Sequence, residues 1–158
     1  MRIGFGYDVH PLMKGFDLWI GGIKVPSPTG AVGHSDADVL IHAICDALLG
    51  ASNLGDIGHH FPDSNPEFKG IDSKILLKKA HDLVRGKGFF IVNIDTTVCL
   101  QQPKIGPFLP EMKKILASTL ALDEEKISIK ATTTEHLGFV GRGEGIAAYA
   151  VTLIESNS

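Results

Sequence analysis

The sequence is poor in cysteine: only Cys45 and Cys99 occur in 158 residues. Two thiols cannot staple a small scaffold, so ordinary side chains must build the core, and a reducing, cytoplasmic compartment is the expectation. Long apolar runs are missing too. The opening MRIGFGYDVH lacks the apolar centre of a secretory leader. No stretch approaches the ~20 residues that a helix needs to cross a bilayer, so no membrane association is expected. Nor is positive charge in excess: 15 Lys and Arg stand against 18 Asp and Glu, a formal net charge of -3. Such a surface does not coat polyanions, and no nucleic-acid partner is expected. An anionic ligand must then be held by a local device: a metal, a helix N-terminus or a few placed cations. Repeats, low-complexity tracts and linkers are absent, which points to one domain over residues 1–158, with 44 % hydrophobic residues to fill its core.

The hydrophobic period divides the chain into short elements. Arg2–His10 reads as a strand, and residues 17–20 and 23–25 as a hairpin about Gly21-Gly22. The two prolines of residues 26–30 predict a loop. From Asp36 the period becomes helical, with Val39, Leu40, Ala43, Ile44, Ala47 and Leu48 on one face and a stop near Gly50. Ser35, with Asp38 three residues on, carries a capping-box signal for that helix. Residues 53–71, rich in Gly, Pro, Asn, Asp and His, read as a long loop, which in a compact domain usually carries function. A second helix is capped by Asp72 and stops at Gly86 or Gly88, and a strand follows over Phe90–Leu100. Pro107 and Pro110 open a third helix that runs to about Leu122. Strands over Ile127–Thr133 and Ile146–Ile154 close the chain. This order predicts an α+β fold: a single mixed β-sheet with helices packed on one face.

Five groups of residues could carry chemistry. Asp8 and His10, two apart on a strand, leave the same face roughly 7 Å apart, so both can reach one ion. His42, early in the first helix, can supply a third ligand. Three protein ligands with one open position suit a catalytic zinc, whereas hydrogen-bonded histidines at an element edge are the plain alternative. Asp46, one turn beyond His42, either steadies that imidazole or is solvated. His34 and Ser35 lie at a helix N-terminus, which suits phosphate or simple capping. The stretch from Asp56 through Ile57, Gly58, His59, His60, Phe61 and Pro62 to Asp63 offers hydrogen bonds to a polyol, while adjacent His59 and His60 read more simply as surface residues. Thr132, Thr133, Thr134 and Glu135 leave a strand end with hydroxyls and a carboxylate that suit phosphate and Mg²⁺. Finally, the glycine-rich turn around Phe139 and Arg142 offers close backbone approach and a planar cation.

Taken in order, the motifs G-Y-D-V-H, G-H-S-D-A-D-V-L, H-A-I-C-D-A-L-L-G-A, G-D-I-G, F-P-D, P-K and T-T-T-E-x-L-G-F-x-G-R-x-E-G-I run almost the length of the chain, to Ile146. Together they resemble the 2-C-methyl-D-erythritol 2,4-cyclodiphosphate synthase family. The resemblance implies a homotrimeric lyase of non-mevalonate isoprene biosynthesis with active sites at subunit interfaces. Its reaction converts 4-diphosphocytidyl-2-C-methyl-D-erythritol 2-phosphate into the 2,4-cyclodiphosphate and CMP, using Zn²⁺ (or another divalent metal) and Mg²⁺ or Mn²⁺.

By the same carry-over, Asp8, His10 and His42 fall on the zinc ligands and Glu135 on the Mg²⁺ or Mn²⁺ ligand. His34 and Thr133 fall on positions that stabilise the transition state. Asp56, Gly58 and Asp63 match methylerythritol-binding positions, and Ser35, Ile57, Phe61, Pro62, Ser64 and Asn65 match further substrate-binding positions. Leu100, Gln101, Gln102, Pro103, Lys104, Ile105 and Gly106, with Ala131 and Thr132, match the cytidine diphosphate pocket, and Thr134 matches a further substrate-binding position. Phe139 and Arg142 complete the set, and Arg142 with Glu144 implies an isoprenoid diphosphate on the threefold axis or a plain intersubunit lock. The sequence departs from the family's pattern at Asn65, which stands for an acidic residue, at Phe108 for a histidine, and at His136 for a lysine. The rival functions are a non-catalytic prenyl diphosphate binder and a zinc phosphohydrolase.

Overall fold

The computed structural model describes residues 1–156. Strand β1 covers Arg2–Lys14, β4 Thr29–Ala31, β5 Phe89–Cys99, β6 Ile127–Thr132 and β7 Gly145–Ser156; these form a five-stranded sheet in the order β4-β1-β7-β5-β6. Only β5 and β6 run parallel, so the sheet is mixed. The helices are α1, Val39–Ala51, α2, Ile57–His60, α3, Ser73–Gly86, α4, Leu109–Leu120, and α5, Gly138–Gly141. Strands β2, Leu18–Ile20, and β3, Ile23–Val25, pair only with each other. The expected hairpin therefore exists, but lies outside the main sheet.

Helix α1 is the centre of the core. Its sequence VLIHAICDALLGA buries every residue except His42, Asp46 and Gly50, which recur at every fourth position and so trace one stripe. An almost wholly apolar helix must be covered on most sides, and α1 lies against β1, β7 and α3. Two glycines on β1 make this packing close. A Cβ at Gly4 would stand 1.8 Å from the Ala47 carbonyl oxygen, and one at Gly6 would stand 1.9 Å from that of Ala43. Small residues on both partners, Gly4 and Gly6 against Ala43 and Ala47, thus let strand and helix backbones nearly touch.

Because strand side chains alternate, Gly4, Gly6, Asp8 and His10 face α1 while Ile3, Phe5, Tyr7 and Val9 face away. The outer face has no cover: Ile3 is 72 % and Phe5 62 % exposed, and Tyr149 and Val151 on β7 join them. The inner face is packed, with Ile94, Val98, Ile146, Ala148 and Ile154 buried below α1.

Four sequence expectations need correction. Strand β1 runs to Lys14 rather than His10, because β4 gives its second half a partner. Residues 29–31 of the expected proline-rich loop are that partner. The cap of α1 is Asp38, not Ser35: Asp38 accepts from Ile41 N at 3.0 Å. The same carboxylate accepts from Gly21 N at 2.9 Å and Gly22 N at 2.7 Å, tying the hairpin turn to the helix start. Residues 53–71 are also less irregular than expected. Asp56 caps α2 by accepting from His59 N, and Asn65 caps a short 3₁₀ turn over Pro66–Phe68.

Candidate functional site

Three side chains from two elements meet at the open end of the β1–α1 contact. Asp8 Oδ2 lies 2.9 Å from His10 Nε2 and 3.0 Å from His42 Nδ1, and the two imidazole nitrogens are 3.2 Å apart. The strand brings Asp8 and His10 to one face by its period of two, and Asp38 sets the helix start that carries His42. Among the described residues this is the one cluster of His, Cys, Asp and Glu whose ligand atoms converge on a single point. His59 and His60 stay outside it; the His60 ring donates to the Leu54 carbonyl oxygen at 2.7 Å.

The donor set fits a cation. His10 Nδ1 contacts the Val32 carbonyl oxygen at 3.1 Å, and a carbonyl can only accept, so Nδ1 carries the proton. The lone pair of Nε2 is then left facing the Asp8 carboxylate and His42 Nδ1. Acceptors this close repel unless a proton or a metal ion lies between them. Protein charge adds to the argument. Burial works against the Asp8 charge, but when the His10 and His42 rings take up a second proton, their hydrogen bonds and positive charge hold its carboxyl down at about 2. Burial likewise opposes a charged His42, yet the Asp8 hydrogen bond and charge keep it above its ordinary value.

The cluster opens into a pocket of about 470 Å³ that also takes His34, Ser35, Ile57, Gly58, Phe61, Pro62, Asp63 and Ser64. Its apolar floor of Phe68, Ile71 and Leu76 escaped the sequence reading, although Leu76 lay on the expected face of α3. Two predicted contacts do not line the pocket. Asp56 is spent on capping α2, and Asn65 caps the 3₁₀ turn while its carbonyl oxygen lies 3.4 Å from His34 Nε2. Asp46 makes no hydrogen bond to His42. Its carboxylate accepts from Ile57 N at 2.8 Å, which anchors the start of α2 to α1, and burial raises its pKa.

A second pocket sits at the far end of the β5–β6 pair. Leu100, Gln101, Pro103, Lys104, Ile105, Gly106, Ala131, Thr132 and Thr133 line it. Gln102 does not, and Thr134 donates to the Leu137 carbonyl oxygen at 2.7 Å instead of lining the pocket. Glu135 follows in a left-handed turn with φ 52°. Its neighbour His136 N donates to Gln101 Oε1 at 3.3 Å, which ties that turn to the second pocket rather than to the Asp8 cluster. Phe139 lies in α5, and Arg142 just beyond holds Glu144 of its own chain through Nε at 2.7 Å and Nη2 at 3.1 Å. The two pockets have no lining residue in common.

Fold and site together define an α+β protein in which a strand and a helix present an Asp-His-His cluster, suited to a divalent metal, in a pocket lined by both polar and apolar side chains. The chain belongs to the YgbB family, which it matches over residues 1–155. It is 59 % identical over 153 residues to a 2-C-methyl-D-erythritol 2,4-cyclodiphosphate synthase from Porphyromonas gingivalis, covering 97 % of this chain and 94 % of that one. Among solved structures it superposes on the bifunctional IspDF from Campylobacter jejuni with a TM-score of 0.95 at 44 % identity. That match covers 98 % of this chain but 42 % of the longer bifunctional one. It also superposes on a 2C-methyl-D-erythritol-2,4-cyclodiphosphate synthase in its CDP-bound form, with a TM-score of 0.90, 37 % identity, and coverage of 98 % and 100 %.

Proposed function

We propose that the chain converts 4-diphosphocytidyl-2-C-methyl-D-erythritol 2-phosphate into 2-C-methyl-D-erythritol 2,4-cyclodiphosphate, releasing CMP, as a lyase of the non-mevalonate pathway. The convergence of Asp8, His10 and His42 beside His34 is the observation that carries this reading, in a chain of this family. The 2-phosphate attacks the β-phosphorus of the same molecule's diphosphate, and the bond from β-phosphorus to the CMP oxygen breaks. No protein nucleophile is needed, because the attacking oxygen is already ionised. The obstacle is repulsion between anions and the need for in-line geometry.

Asp8, His10 and His42 would hold Zn²⁺ or another divalent ion, whose charge offsets that of the β-phosphate oxygens. Glu135 would hold Mg²⁺ or Mn²⁺ next to the departing CMP. His34 and Thr133 steady the two ends of the phosphate chain. Ser35, Ile57, Gly58, Phe61, Pro62, Asp63 and Ser64 hold the methylerythritol end, and Phe68, Ile71 and Leu76 give its methyl group an apolar floor. Leu100 to Gly106, with Ala131, Thr132 and Thr133, hold the cytidine end, with Lys104 as the cation for its diphosphate.

A substrate with two such ends needs both pockets, and a homotrimer would bring the second pocket of one subunit to the first of the next. The uncovered apolar face of β1 and β7 supports this assembly, since a patch of that kind marks an interface. An isoprenoid diphosphate on the threefold axis must compete with Glu144 for Arg142, because the pair is already closed within each chain. Incubation with the substrate and Mg²⁺, read by mass spectrometry, tests the activity. The cyclic diphosphate and CMP in equal amounts are expected; CMP with an open-chain bisphosphate would overturn the proposal in favour of hydrolysis.

A further inference from the structure

A chain of polar contacts runs behind the cluster. His42 Nε2, on the far side of the ring from Asp8, contacts two hydroxyls: Ser73 Oγ at 2.9 Å and Ser35 Oγ at 3.1 Å. A hydroxyl can donate or accept, so these contacts alone leave the His42 tautomer open. Ser73 is the first residue of α3 and wholly buried. Its own proton is committed, for Oγ donates to Asp36 Oδ1, and its backbone N–H donates to Asp36 Oδ2 at 2.9 Å. An ionised carboxylate accepts only. Ser73 Oγ therefore turns a lone pair to His42, and His42 Nε2 must supply the hydrogen. The ring is left with a bare Nδ1 aimed at Asp8 and His10.

The structure assigns to Asp36 and Ser73 the role of positioning residues that fix His42 in its metal-binding tautomer. This assignment rests on the metal reading of Asp8, His10 and His42. A histidine ligand is commonly oriented by what its other nitrogen meets, and removing such a partner typically weakens metal binding about 10–100-fold. Neither residue lines either pocket, so the effect reaches the site only through His42.

Asp36→Asn is the discriminating variant, because it keeps the shape and changes one donor. Two backbone groups donate to Asp36, Ser73 N at 2.9 Å and Asp38 N at 3.2 Å, and the carbonyl oxygen of the substituted side chain serves the shorter contact, which leaves its amide group against Ser73 Oγ. That hydroxyl then accepts from the amide and donates to His42 Nε2, so the protonated nitrogen becomes Nδ1. Zinc affinity by chelator competition should fall about 10–100-fold in Asp36→Asn, and also in Ser73→Ala, which removes the acceptor. Nitrogen-15 histidine spectra of the metal-free protein at alkaline pH should show Nε2–H in the wild type and a shift towards Nδ1–H in Asp36→Asn. Both variants should unfold close to the wild-type temperature when metal-free. Wild-type zinc affinity in both variants would overturn the assignment, as would weakened affinity with an unchanged tautomer, which would trace the loss to folding. A wild-type protein that takes up no zinc would instead overturn the metal reading itself.

Discussion

Asp8 and His42 stabilise one another when the cluster holds no metal, and each does so over its own range of pH. The Asp8 carboxyl is held at about 2, below its ordinary 3.8, so its contribution is complete above the ordinary value and is lost as pH falls towards 2. The His42 value is raised above 6.5, so its contribution is complete below 6.5 and is lost as pH rises through the folded value. The metal-free protein should accordingly lose thermal stability as pH rises above 6.5, and by more than His42→Ala does. Zinc reverses the trend, because protons compete with it for the same nitrogens, and the loaded protein should gain Tm over that range. Scanning calorimetry of chelator-stripped and zinc-loaded protein at each pH measures both slopes. Parallel curves for wild type and His42→Ala would remove His42 from the linkage.

At the scale of elements, the contact between β1 and α1 decides where the ligands stand. The strand supplies two ligands and the helix one, so a shift between them would spoil the cluster without touching a ligand. Gly6→Ala places a Cβ 1.9 Å from the Ala43 carbonyl oxygen, and backbone cannot give way as a flexible side chain would. A loss of about 1–3 kcal/mol or more is expected, read from the urea midpoint, together with weaker zinc retention. The period of the sequence was enough to find β1, α1, α3 and β5, and Pro107 and Pro110 marked the start of α4. It was also enough to put Asp8 and His10 on a common side. What it could not reveal depends on partners distant in sequence. Ser35 carries a local capping pattern, but Asp38 takes the cap because it also satisfies Gly21 and Gly22, from a hairpin 16 and 17 residues away. Strand β4 shows no strand signal of its own and exists because the second half of β1 needs a partner. The Asp36–Ser73–His42 chain spans 37 and 31 residues, which no local spacing announces. The motifs that resemble the synthase family carried more of the site than periodicity did, because the residues of both pockets are scattered along the chain.

For the molecule as a whole, the separation of the two pockets has a consequence for genetics in a test tube. If each reaction centre joins the metal half of one subunit to the nucleotide half of the next, two dead proteins can make a live one. His42→Ala spoils the first half and leaves the second, and Lys104→Ala does the reverse. Either variant alone would then form rings in which every junction is broken. In a ring of three that contains both kinds, one junction always joins an intact metal half to an intact nucleotide half. Unfolding the variants together in equal amounts and refolding them should scramble the rings and restore about a quarter of wild-type turnover, as chance mixing in a cyclic trimer requires. Separate refolding followed by mixing should restore none until subunits exchange. Continued silence after co-refolding, with mixed rings present by native mass spectrometry, would mean that each chain works alone and that the second pocket serves some other purpose.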